Sequence, residues 1–268
     1  MALVKLKVPG ATLHWQRRGE GPALLVLQGG DGDADASALL AERLSGFTVV
    51  TYDRRGLSRS ELEAPGAVEL PTHTSDALAV LDAATAAPAF VFGTSIGATI
   101  GLDLAARFPG RVRRLVAHEP PATELLAPAD RAATDAARDE IDALYREKGV
   151  LPAMRRFFAG TGIDFMDREP DVGLPPANGA RLKNLKFFLE NDAQAVRRFA
   201  LDVPALRAVA DRLVVAAGVS SRGLWIRRCA EVLAEQLGLP LADFPGGHGG
   251  YAAHPRGFAE RLTALFTP

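Results

Sequence analysis

Apolar residues along this chain follow two spacings. Short continuous apolar runs at residues 23–27 (ALLVL), 47–52 (FTVVTY), 89–92, 112–117, 213–217 (LVVAA) and 241–244 predict strands buried on both faces. Runs of mixed polarity at 3–8 and 12–17, parted by Pro9-Gly10, predict a hairpin of edge strands. Between these lie stretches of helical spacing at 34–44, 72–86, 96–108, 224–237 and 255–266. Alternating strand and helix implies a parallel sheet with right-handed crossovers, the α/β class. The alternation breaks after Pro120. From there to about residue 210 no strand signal occurs, and helices are predicted at 129–148, 152–159, 177–189 and 193–201. An interruption of about 90 residues far exceeds the ~4–6 of an ordinary connection, so it reads as a helical insertion. The predicted organisation is therefore a core over 1–121, a helical cap over 122–210 and the rest of the core over 211–268.

Composition narrows the class further. The chain has 268 residues, 48% hydrophobic and 24% charged, which suits a globular protein with a sizeable core. Lys+Arg number 31 and Asp+Glu 32, so there is no net field to draw nucleic acid or an anionic membrane. The arginine pairs 17–18, 54–55, 155–156, 197–198 and 227–228 read mostly as solvated surface. No apolar run reaches the ~18 residues of a membrane span. The start, MALVKLKVPG, is too short and too polar for a secretion signal, so a cytoplasmic protein is expected. The expected partner is a small-molecule substrate, with homo-oligomerisation left open. The single cysteine, Cys229, allows no internal disulfide and reads as a small buried hydrophobe on a helix. The histidines, at 14, 73, 118, 248 and 254, lack metal-ligand spacing, and neither metal nor cofactor is expected.

The sharpest motif is Gly93-Thr94-Ser95-Ile96-Gly97, a G-x-S-x-G between a predicted strand and a predicted helix. That setting lifts a serine hydroxyl clear of the sheet on a strained bend, with a helix N-terminus behind the oxyanion that would form. The N–H of Ile96, next to the nucleophile, is the first oxyanion donor. The glycine spacing of a dinucleotide-binding loop is absent. His248 sits in Phe244-Pro245-Gly246-Gly247-His248-Gly249-Gly250, between the last strand and the last helix. Flanking glycines present the imidazole at the same sheet edge as Ser95, where a general base is needed. His254, just before Pro255, reads as a surface or capping residue.

These segments resemble the α/β-hydrolase superfamily. The resemblance covers residues 3–121 and 212–266 and rests on LLVLQGG, VVTYDRRGLSRS, VFGTSIGATIGLDLAARFPGRVRRLVAHEPP and LADFPGGHGGYAAHPRGFAERL. It implies an eight-stranded, mostly parallel sheet with a helical lid inserted after the sixth strand. It also implies a second oxyanion donor, the N–H of Gly30, although the family's usual His-Gly is Gln28-Gly29 here. The triad needs a carboxylate to orient the histidine. The loop after the seventh strand, where the family commonly keeps it, reads Gly218-Val219-Ser220-Ser221-Arg222 and has none, and Asp211 lies at the wrong end of that strand. Glu119, 24 residues after Ser95 at the end of the sixth strand, is similar to the relocated acid of haloalkane-dehalogenase-like members. A hinge or salt-bridging glutamate is its alternative role. His118 is expected to face the opposite way and be structural.

Asp53-Arg54-Arg55-Gly56 resembles the family's fourth-strand turn and reads as structural bracing. Asp31, Gly32 and Asp33 either shape the pocket entrance or form a turn. Met154, Phe157, Phe158, Phe165, Met166, Phe187 and Phe188 read mainly as packing of the insertion onto the core, with an acyl pocket as the alternative. The expected function is a serine hydrolase acting on a carboxylic ester, thioester or lactone. A serine nucleophile argues against dehalogenase and epoxide-hydrolase chemistry. The alternatives are perhydrolase, C–C bond-cleaving or other non-hydrolytic chemistry on the same fold, and a non-catalytic ligand-binding module.

Overall fold

The computed structural model describes residues 4–30, 32–176 and 178–267. Strands β1 (Val4–Val8), β2 (Ala11–Arg18), β3 (Ala23–Leu27), β4 (Thr48–Asp53), β5 (Ala89–Thr94), β6 (Val112–His118), β7 (Leu213–Gly218) and β8 (Leu241–Phe244) form one sheet in the order β1-β2-β4-β3-β5-β6-β7-β8. β1 and β2 are a hairpin, and β2 pairs antiparallel with β4. From β4 through β3 to β8 every pairing is parallel. The sheet has a ninth strand that the hydrophobic pattern does not predict: Glu61–Leu62 pairs with the start of β2. Two residues carry no readable period, so such a strand is invisible to pattern analysis.

The helices are α1 (Ala38–Arg43), α2 (Leu70–Ala84), α3 (Ile96–Arg107), α4 (Pro128–Lys148), α5 (Val150–Thr161), α6 (Gly179–Phe187), α7 (Ala193–Arg198), α8 (Val203–Arg207), α9 (Trp225–Leu237), α10 (Gly250–Ala253) and α11 (Pro255–Phe266). Side chains alternate across each strand, so β3 sends Leu25 and Leu27 to one face and Leu24 and Val26 to the other. The first face packs with Leu81 of α2, Ile100 and Leu104 of α3 and Leu233 of α9. The second packs with Leu40 of α1 and with Phe258 and Leu262 of α11. A strand covered on both faces has no polar side to show, which is why these runs are continuously apolar.

Between β6 and β7 the described residues contain helices and no strand. This helical segment has its own small core of Ala153, Met154, Leu185, Phe188 and Leu189. The predicted helix 177–189 proves to be α6 continued through a π-helical turn, Phe188–Asp192, into α7. Its first residue, Ala177, lies outside the described residues, as do Leu3 of the first predicted strand and Asp31. Residues 34–37 form a 3₁₀ turn, so α1 begins four residues later than the pattern suggests. No helix among the described residues is long and apolar enough to cross a membrane.

Candidate active site

Ser95 joins β5 to α3 with φ 55° and ψ −126°, a conformation L-residues rarely adopt. The bend exists because the glycines on either side allow close approach. A Cβ on Gly97 would lie 2.0 Å from the Leu27 carbonyl oxygen, and one on Gly93 would lie 2.3 Å from the Gly97 carbonyl oxygen. The bend is held from below, where the Ser95 N–H donates to the His118 carbonyl at 2.9 Å. Ser95 is 8% exposed and lines a cavity. The N–H of Ile96, first residue of α3, has no intrahelical acceptor and remains a donor for this space.

β6 ends one residue before Glu119, whose backbone turns to φ 47° ahead of Pro120-Pro121. Its N–H still extends the parallel ladder, donating to the Ala216 carbonyl of β7 at 2.9 Å. The turn sends the carboxylate across the C-terminal end of β7. There Oε1 accepts from the Gly218 N–H at 2.9 Å and Oε2 lies 2.8 Å from His248 Nδ1. Neighbouring strands run about 4.8 Å apart, so an acid after β6 reaches a histidine that an acid after β7 would also reach. The side chain is completely buried. Burial would raise its pKa, but the hydrogen bond from His248, the electrostatic influence of His118 and His248, and the Gly218 N–H outweigh it and pull the carboxyl down to about 2. An ionised carboxylate only accepts, so His248 Nδ1 is the donor of this pair.

The structure therefore brings together Glu119 and His248, which sequence alone pairs only by analogy. His248 is 5% exposed and lines the same cavity as Ser95 and Ile96. No hydrogen bond joins Ser95 to His248. His118 faces away from the site. Its ring packs on Phe244 and Phe258, and Nδ1 meets Thr94 Oγ1 at 3.1 Å. Burial pushes its pKa down to about 4. His254 caps the end of α10 and the start of α11 through its backbone, and its side chain meets Asp167 at 3.0 Å.

The loop after β3 is braced by the turn after β4, the role read above for Asp53-Arg54-Arg55-Gly56. Arg54, grouped above with pairs that mostly face solvent, is 1% exposed. Its Nη1 donates to the carbonyls of Gln28 at 3.0 Å and Gly29 at 2.8 Å, and its Nη2 to Asp192 Oδ2 at 2.6 Å. Asp192 lies in the π turn of the helical segment and also meets His73 Nε2 at 3.1 Å. Burial opposes ionisation of Asp192, but the Arg54 charge and His73 hold its pKa below the usual value. Arg55 is buried too, in a two-bond pairing with Asp76 at 2.6 Å. The bracing that the absent family histidine would give this loop thus comes from below, from Arg54, while Gln28 reaches only Ser37 at 3.0 Å. Sequence reasoning missed Asp192 and His73, because nothing in the pattern ties Asp192 to an arginine 138 residues away or to a histidine 119 residues away. Gly30 is fixed from above, where a Cβ would come within 3.0 Å of the Phe188 ring.

The cavity over Ser95 has a volume of about 80 Å³. Its floor includes Ser95, Ile96 and His248, and its walls come largely from the helical segment and the start of α9, with Phe157, Phe188, Leu189, Trp225 and Ile226 among them. The aromatic residues of the segment divide between roles. Phe157 and Phe188 stack edge to face at 5.2 Å and line the cavity, whereas Met166 is 71% exposed. Among the described residues no cluster of His, Cys, Asp and Glu is arranged to hold a metal ion.

This combination, a sheet of that strand order with a serine on the strand–helix bend and a carboxylate-held histidine beside it, defines the α/β-hydrolase class. Residues 22–147 match the family model described as alpha/beta hydrolase fold. The chain is 38% identical over 265 residues to the protein of Bacillus subtilis (strain 168) named uncharacterized hydrolase YraK, covering 96% of this chain and 93% of that one. A hydrolase from Pseudomonas aeruginosa PA01 superposes with a TM-score of 0.72 at 23% identity, over 99% of this chain and 98% of that one. The enol-lactonase from Burkholderia xenovorans LB400 does so with a TM-score of 0.72 at 20% identity, over 99% and 100%. The chain belongs to the α/β-hydrolase superfamily and is a hydrolase of that family.

Proposed function

We propose that this enzyme is a serine hydrolase that cleaves a carboxylic ester, thioester or lactone through an acyl-enzyme. The observation that carries the reading is the 2.8 Å contact between Glu119 and His248 Nδ1, with Nε2 left free in the cavity that Ser95 also lines. Ser95 Oγ attacks the carbonyl carbon while His248 Nε2 takes its proton. The amides of Ile96 and Gly30 receive the charge that develops on the carbonyl oxygen. The leaving alcohol or thiol departs with the proton from His248, and Ser95 keeps the acyl group. Water, deprotonated by the same imidazole, then attacks the acyl carbon, releasing the acid and restoring the hydroxyl. Glu119 orients the ring and stabilises its charged form throughout. The helical segment acts as a lid, and its apolar wall takes the carbon chain of the acyl group.

Two measurements test this together. A fluorophosphonate probe is expected to label Ser95 in the wild type and not in Ser95→Ala, and Ser95→Ala is expected to lose roughly 10⁴–10⁶ in kcat on an ester panel. Turnover in ¹⁸O-water should place the heavy oxygen in the acid product. Normal turnover by Ser95→Ala, or product free of solvent oxygen, would overturn the proposal in favour of different chemistry on this fold.

A further inference from the structure

Three arginines reach the cavity from the helical segment: Arg138, Arg156 and Arg197. Two of them are satisfied. Arg156 Nε meets Glu140 at 2.8 Å, and Arg197 Nη1 meets Asp139 at 2.6 Å. The lining carboxylate, Asp142, accepts from Gln194 at 3.1 Å and has Arg197 at 3.7 Å. Arg138 differs. Its side chain is only 18% exposed, yet the nearest carboxylate oxygen, on Asp135, is 3.8 Å away. One of its five N–H donors is used, from Nη1 to Thr123 Oγ1 at 2.9 Å. Its guanidinium carbon lies 5.6 Å from the centre of the Trp225 ring, which also lines the cavity. Glu124 makes no ion pair with it and is engaged by the Leu201 N–H at 3.1 Å. Burying a cation without a close counter-charge is unfavourable, and desolvation accordingly lowers the pKa of this guanidinium.

We infer that the missing counter-ion is the substrate's: Arg138 is a specificity-determining residue that grips a free carboxylate on the ester or lactone, with the Trp225 ring as its platform. A planar guanidinium with open donors fits a carboxylate in two parallel hydrogen bonds. The apolar wall formed by Phe157, Phe188 and Leu189 then takes the carbon chain between that anion and the carbonyl at Ser95. The preferred substrate is therefore a half-ester or carboxy-lactone rather than a neutral ester. This inference rests on the serine-hydrolase reading for its chemistry, but not for its binding.

The test compares p-nitrophenyl half-esters of straight-chain C4–C8 dicarboxylic acids with p-nitrophenyl esters of the monocarboxylic acids of equal length. The wild type is expected to favour the carboxylate-bearing ester by about 10–100-fold in kcat/KM. Arg138→Gln should bring that ratio near unity, Arg138→Lys should keep part of it, and Arg156→Gln should keep most of it. A wild-type ratio near unity overturns the inference. So does loss of the preference in Arg156→Gln as large as in Arg138→Gln, since that would mark a diffuse positive field. In parallel, Ser95→Ala is titrated calorimetrically with the free dicarboxylic and monocarboxylic acids, where Arg138-dependent binding of the diacid is expected. Diacid binding without ester turnover by the wild type would sink the hydrolase reading and keep the anchor. Turnover without carboxylate preference and without diacid binding would do the reverse.

Discussion

At the scale of single residues, the site depends on two positions that hold unusual backbone angles. Ser95 and Glu119 both have positive φ, and neither is glycine. Such angles cost on the order of 1–3 kcal/mol each and persist only where the surroundings over-determine them. For Ser95 the surroundings are the touching backbones at Gly93 and Gly97; for Glu119 they are the following proline pair and the Gly218 N–H. Glu119→Gln keeps the shape but removes the charge and permits the amide to donate where only acceptance orients the ring correctly. On the proposed mechanism its kcat should fall by roughly 10²–10⁴ with a smaller change in KM, measured on whichever ester the wild type turns over. An unchanged kcat would assign Glu119 a structural role only.

At the scale of elements, the notable arrangement is a single guanidinium joining three parts of the chain. Arg54 follows β4, donates to carbonyls of the loop after β3, and is neutralised by Asp192 in the π turn between α6 and α7. The helical segment and the loop after β3 are thereby linked through one guanidinium. The ion pair is buried on both sides, with side-chain exposures of 2% and 0%. Removing one partner strands the other charge, which typically costs about 3–5 kcal/mol. Arg54→Met is therefore expected to lower Tm by on the order of 10 °C, read by thermal unfolding. Arg54→Met combined with Asp192→Leu should recover part of the loss, because no charge is left unpaired. A double variant no more stable than Arg54→Met would mean the pair is not the source of the effect.

At the scale of the whole molecule, two buried groups of the sheet, His118 and Glu119, contribute to how stability responds to acid. His118 has its pKa pushed from 6.5 down to about 4, so between those values the unfolded chain binds a proton that the folded one does not. Stability must fall as pH drops through that window. Glu119 is held at about 2 against an ordinary 4.5, so its contribution is complete above 4.5 and is lost as pH falls towards 2. The expected result is a two-step acid destabilisation. His118→Phe should flatten the step between 6.5 and 4, and Glu119→Gln the step between 4.5 and 2, in urea midpoints measured across pH. If His118→Phe retains the full slope of the wild type, His118 is not the group that titrates.

The sequence by itself determined the sheet, the serine bend and the histidine loop. Each is written in contiguous residues: apolar runs that only a doubly covered strand can bury, glycines two before and two after Ser95, glycines around His248. Local steric and hydrophobic rules act over a few residues, so a linear string carries them. What only the tertiary structure decided are the pairings across the chain. Glu119 and His248 are 129 residues apart, Arg54 and Asp192 138 apart, and whether a charged side chain is buried against a partner or left in water has no local signature. The same Arg-Arg wording stands at 54–55, where both are buried, and at 17–18, where the pair is not. Which cavity arginine has its nearest carboxylate only at 3.8 Å is a property of packing alone.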